Sequence, residues 1–164
     1  MERKRTIVIG LGNPILTDDG VGVLVARLVE KRVNLDNNPW LTITEASAGG
    51  MRLMERTLDY QRVVLIDAYY LDPTATTPGK IHQLTLEDLR TGAPTQHSTS
   101  AHDTSLVTAL DAARQLGYSV PEEFSIYAVE VENILEFGEE PTPRVAEAIP
   151  QVAELVLDDL GVSE

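Results

Sequence analysis

Two aspartates and a histidine have the residue types and the placements best suited to chemistry: Asp19, Asp67 and His102. Asp19 sits in Gly10-Leu11-Gly12-Asn13-Pro14-Ile15-Leu16-Thr17-Asp18-Asp19-Gly20-Val21-Gly22, directly after the apolar run Thr6-Ile7-Val8-Ile9. A β-branched run reads as a buried strand, and the glycines and proline after it read as a tight turn. Val21, Leu24, Val25 and Leu28 then recur at helical spacing, so a helix begins near the aspartates. Asp67 closes the apolar run Val63 to Ile66, and His102 lies in a polar loop before a second helical pattern. One imidazole and two carboxylates form a mixed nitrogen and oxygen donor set. It suits a borderline divalent ion such as Ni²⁺ or Zn²⁺ and leaves positions open for substrate or water.

Each residue also has a plainer role open to it. Asp18 or Asp19 could serve the helix N-terminus through capping or the macrodipole. Asp67, at the end of a buried strand, must find hydrogen-bond donors or a cation. His97 shares the loop of His102 and competes with it, whereas His82 alternates with Ile81 and Gln83 and reads as structural.

The elements that must position these residues alternate along the chain. Strands are expected at Thr6–Ile9, Leu41–Ala46, Arg62–Ala68, Lys80–Leu84 and Phe124–Val131. Helices are expected after Asp19, around Met51–Leu58, over Ser105–Leu116 with Gly117 as C-cap, and over Thr142–Leu160 with Pro150 inside. This alternation predicts one α/β domain over residues 1–164, a three-layer sandwich with a twisted, mainly parallel sheet and helices on both faces. In such a sheet the carboxyl ends share one edge, where open α/β folds bind ligands, so Asp19, Asp67 and His102 can converge there. Two longer connections, Leu71–Gly79 and Thr91–Asp103, have the length of functional loops.

Composition narrows the classes further. The chain has 164 residues, 43% of them hydrophobic, which supports a genuine core. It has no cysteine, so disulfides, thiolate metal sites and cysteine nucleophiles are excluded. The net charge of −13 disfavours a nucleic-acid partner, because phosphate binding depends on Lys and Arg. No apolar run approaches a membrane span, and a soluble, cytoplasmic monomer is expected. A dinucleotide fingerprint fails at Ile15, where its third glycine should stand, and a P-loop fails after Gly79-Lys80. There is no G-x-S-x-G elbow and no H-E-x-x-H helix.

With these residues assembled, the chain resembles the hydrogenase maturation proteases, endopeptidases that process the large subunit of nickel–iron hydrogenases. The resemblance spans nearly the whole length. It runs through Asp18-Asp19-Gly20-Val21-Gly22, Val63 to Ala68, Pro78-Gly79-Lys80-Ile81-His82, Ser100-Ala101-His102-Asp103, Phe137-Gly138-Glu139-Glu140 and Thr142-Pro143-Arg144-Val145. It implies that Asp19, Asp67 and His102 are the metal-contacting residues, with Asp19 in a position that some members fill with Glu. It further implies removal of a C-terminal extension from the large-subunit precursor once nickel is inserted, the nickel arriving with that precursor. Asp19, Asp67 or Asp18 would serve as base, and other divalent cations fit the same donors. The segment Ala128–Asn133 is more acidic than the Gly- and Pro-containing version of many members. Two other classes compete. Gly10-Leu11-Gly12-Asn13-Pro14 resembles the opening of peptidyl-tRNA hydrolase, but Thr17-Asp18-Asp19-Gly20 removes the histidine and reverses the charge expected there. A non-catalytic nickel-sensing adaptor on the same scaffold is the other, and cleavage separates it from a protease.

Overall fold

The first strand is buried along its whole length because it lies inside the sheet, between two other strands and two helical layers. Strand β1 (Thr6–Leu11) is flanked by β2 (Leu41–Ala46) and β3 (Arg62–Tyr70), both parallel to it. A strand covered on both faces has no reason to alternate apolar with polar residues, hence the unbroken run Ile7-Val8-Ile9. The computed structural model describes residues 2–72, 74–93, 95 and 105–162. Its sheet has five strands in the order β2-β1-β3-β5-β4, with β5 (Glu123–Val131) parallel to β3 and β4 (Ile81–Leu84) antiparallel at the edge. The three-layer α/β sandwich expected from the sequence is what forms.

Two cores lie on the two faces of the sheet. Helices α1 (Val21–Arg32) and α5 (Pro143–Leu160) cover one, packing Val25, Val29, Val152 and Val156 against Val8, Val64 and Val129. Helices α2 (Gly50–Thr57) and α4 (Leu106–Gln115) cover the other, with Leu53, Leu106 and Leu110 against Ile9, Leu65 and Ile126. Residues 63 to 66 of β3 therefore alternate between two apolar layers, so neither face tolerates a polar side chain without a partner. Helix α5 runs through Pro150 and stops at Gly161, which takes the left-handed conformation at φ 62°. The short helix α3 (Leu86–Arg90) is not among the elements expected from the sequence, although Thr85 and Asp88 form a reciprocal capping box around its start.

Strand β3 is longer than its apolar run. Ala68, Tyr69 and Tyr70 extend it by pairing with Val129, Glu130 and Val131 of β5. The strand therefore runs two residues past the Ala68 expected from the sequence, and Asp67 lies three residues before its end. On the other side, the ladder between β1 and β3 finishes at Gly10 and Ile66. Asp67 is thus mid-strand toward β5 and beyond the ladder's end toward β1.

Helix α1 lies close against this point because two of its contacts are glycines. A Cβ at Gly22 would fall 2.2 Å from the carbonyl oxygen of Ile66 and 2.5 Å from that of Leu11. One at Gly10 would meet the Gly22 carbonyl oxygen at 2.4 Å. Backbone cannot retreat as a flexible side chain can, so Gly22→Ala is expected to cost about 3 kcal/mol of stability, in the upper range for overpacking. Urea unfolding checks this: an unchanged midpoint would show that the helix and sheet are not in such close register.

Candidate active site at the carboxyl edge

The strand order reverses between β1 and β3: β2 lies on one side of β1, and all later strands lie on the other. Such a switch point opens a crevice beyond the carboxyl ends of the strands. A single 3-10 turn, Thr17–Gly20, enters it before α1 and packs against β3. Gly12 permits the fold-back. Its φ is 130°, and a Cβ there would lie 1.9 Å from the Asp19 carbonyl oxygen.

The neighbouring aspartates of this turn have different surroundings, and neither caps the turn or α1 with its side chain. Asp18 is completely buried. Its Oδ1 accepts the backbone N–H of Thr142 at 2.7 Å, and its Oδ2 accepts those of Glu132 and Asn133 at 3.2 and 3.1 Å. The Thr142 hydroxyl lies 3.0 and 2.9 Å from the two oxygens. That hydroxyl makes no cap to α5, whose N-cap it occupies. Asp18 therefore joins the first loop to the connection between β5 and α5, and its oxygens are taken up in doing so.

Asp19 points elsewhere. It is 5% exposed, and its Oδ2 accepts the N–H of Asn13 at 2.9 Å. Asp67 has no exposure, and its Oδ1 accepts the N–H of Ala68 at 2.8 Å. Each carboxylate is thus oriented by a backbone donor from its own loop or strand, which holds its rotamer in place. The turn bearing Asp19 packs on the strand bearing Asp67. His102 and His97 lie outside the described residues, and among the described ones no three acidic or histidine side chains gather as a metal cluster.

The same sheet face carries a group whose sequence context suggests simple packing. His82 of β4 and Asp67 of β3 both pair with Ala128, one from each side of β5. The ring of His82 stacks on Tyr69 with centroids 4.4 Å apart and planes 11° apart. Its Nε2 is 2.9 Å from Oε1 of Glu130, which is 3% exposed and accepts the Thr77 N–H through Oε2. The sequence did hold a signal for Glu130: an acid between Val129 and Val131 in a buried strand requires a partner. The opposite edge of the sheet carries a separate cleft lined by Leu84, Phe124, Tyr127 and Asp159 among others. There the Tyr127 hydroxyl donates to Asp159 at 3.0 Å, and burial followed by the Asp159 charge raises its pKa well above the ordinary tyrosine value.

Fold and crevice together define a three-layer α/β protein with buried, backbone-oriented carboxylates at its switch point. Residues 23–159 match the hydrogenase maturation protease family (HycI), and the chain belongs to that family. It is 28% identical over 163 residues to the hydrogenase 2 maturation protease of Escherichia coli, covering 97% of this chain and 92% of that one. The solved E. coli maturating endopeptidase HybD superposes with a TM-score of 0.75 at 28% identity, over 96% of this chain and 92% of its own. The maturation protease HycI of Thermococcus kodakarensis shares the fold at a TM-score of 0.68 and 21% identity, over 97% and 94% of the two chains.

The two aspartates should fail in different ways when neutralised. Asp18→Asn turns an acceptor into a donor among buried N–H groups and should lower stability by about 2–3 kcal/mol, the range for hydrogen bonds to a charged group. Asp19→Asn should lower stability by less, since the donors to Asp18 come from two distant segments and Asn13, which donates to Asp19, belongs to its own loop. A melting curve for each variant distinguishes them, and equal losses would refute the division of roles.

Proposed function

We propose that this protein is an endopeptidase that removes a C-terminal extension from the nickel-loaded precursor of a nickel–iron hydrogenase large subunit. Membership in the maturation protease family supports the substrate class. The observation that supports the assignment to particular residues is the packing of the turn that bears Asp19 against the strand that bears Asp67. Asp19, Asp67 and His102 are the proposed contacts to the nickel, which is part of the substrate. Asp19 and Asp67 suit this role because each is a buried acid oriented by a backbone N–H.

A divalent cation at such a site supplies Lewis acidity to a carbonyl or a bound water. The protein's own part is to orient the acids and to accept the proton released when water adds to the scissile carbonyl. In the second half of the reaction that proton goes to the departing amine. Asp19 or Asp67 is the proposed base. Asp18 is not, because its oxygens are committed to Thr142, Glu132 and Asn133.

A donor set of one histidine and two carboxylates, without thiolates, holds an ion weakly compared with a four-ligand structural zinc site. The purified protein should therefore be folded and nearly metal-free after dialysis, yet take up a divalent ion when one is supplied. Nickel-loaded precursor should be cut and nickel-free precursor should not. Stoichiometric zinc surviving dialysis, together with equal cleavage of both precursors, would sink the proposal. No cleavage of any large-subunit precursor from the same organism would favour a nickel-sensing adaptor.

Substitutions locate the chemistry. Asp19→Asn, Asp67→Asn and His102→Ala should each abolish processing, by at least about 100-fold in kcat/KM, nearly 3 kcal/mol of transition-state stabilisation. His82→Ala should process, and His97→Ala should show partial loss or none. A folded His82→Ala protein as inactive as His102→Ala would mean that the wrong histidine has been assigned.

A further inference from the structure

Beside the crevice, three large apolar side chains stand in solvent: Ile15 is 48% exposed, and Leu135 and Phe137 are each 84% exposed. They belong to two loops fastened to each other. The Gly138 N–H donates to the Ile15 carbonyl at 2.9 Å, the Thr17 N–H to the Gly138 carbonyl at 2.9 Å, and the Thr17 hydroxyl to the Glu136 carbonyl at 2.6 Å. Thr17 takes a left-handed φ of 49°, unusual for a β-branched residue, within this latch. Asn133 braces the second loop by accepting the N–H groups of Leu135 and Glu136 through Oδ1. Asp18 ties the same loop to the turn that carries Asp19. Leu135 and Phe137 are therefore displayed by a braced loop.

Charge decides what could cover them. Between Arg114 and Arg144 the sequence has no Lys or Arg. Glu132, Glu136, Glu139 and Glu140 all lie on the loop that bears Leu135 and Phe137, none of them buried. A second copy of this chain, itself at −13, would set these carboxylates against its own. Nucleic acid is disfavoured for the same reason. The surface calls for apolar anchors flanked by Lys or Arg.

We propose that Ile15, Leu135 and Phe137, with the surrounding glutamates, are the docking surface for an apolar, basic segment of the large-subunit precursor. This deepens the protease reading and rests on it. Ile15 lies four residues before Asp19 on one continuous loop and turn, so a precursor seated here lies next to the turn that bears Asp19. Apolar contact supplies the affinity, while the glutamates select the partner and speed its encounter.

The test uses the full-length protein and nickel-loaded large-subunit precursors from the same organism. The double variant Leu135→Ser/Phe137→Ser should raise Kd by calorimetry and KM for processing at least tenfold, with kcat within twofold of the unmodified protein. Glu139→Lys/Glu140→Lys should weaken binding and remove most of its dependence on salt. Unchanged affinity in the double variant, with its melting curve showing it folded, would overturn the proposal. So would a native dimer that the double variant converts to monomer, since the surface would then be a contact between copies. If the unmodified protein binds a precursor but never cuts it, the protease reading fails, while binding lost in the double variant still upholds the docking surface.

Discussion

Burial of the Asp18 carboxylate organises one whole end of the molecule. An ionised group removed from water needs several donors, and here they come from Glu132, Asn133 and Thr142. The partners are 114 to 124 residues away in sequence, so the contact joins the first loop to the last quarter of the chain. The latch between Thr17 and Gly138, the entry into α5 at Thr142 and the display of Leu135 and Phe137 all follow from it. Asp18 thereby also sets the position of Asp19, since adjacent residues of a 3-10 turn cannot move independently.

Close approach of backbones is the second determinant. Glycines at 10 and 22 let α1 sit against the carbonyl oxygens of Leu11 and Ile66. Ile66 immediately precedes Asp67, so the start of α1 and the acidic position of β3 are adjacent because a side chain is missing. A methyl group that loosened the helix would also shift the turn bearing Asp19 relative to β3.

The buried acids near this edge of the sheet thus have distinct partners. Asp18 is bound to backbone and hydroxyl donors of a distant loop, and Glu130 to His82 and Thr77. Asp19 and Asp67 receive oriented N–H groups from their own neighbourhood. Asp18 and Glu130 hold the edge together.

The sequence alone determined the architecture, because strand and helix patterns are local. Unbroken apolar runs marked β1 and β3, and helical spacing marked α1 and α4, although α4 is one residue shorter at each end than expected, with Ser105 and Leu116 as its caps. The family was also legible, since its glycine and aspartate motif is a short ordered string. Only the tertiary structure decided which of two adjacent aspartates reaches the connection between β5 and α5, for Asp18 and Asp19 are chemically identical and differ only in their partners. It likewise decided that β3 continues past Ala68, because Tyr69 and Tyr70 are strand by virtue of pairing with β5. The joining of His82 to Glu130, 48 residues away, is of the same kind. Periodicity records how a segment meets its own layer, whereas the satisfaction of a buried charge depends on which distant segment the fold brings beside it.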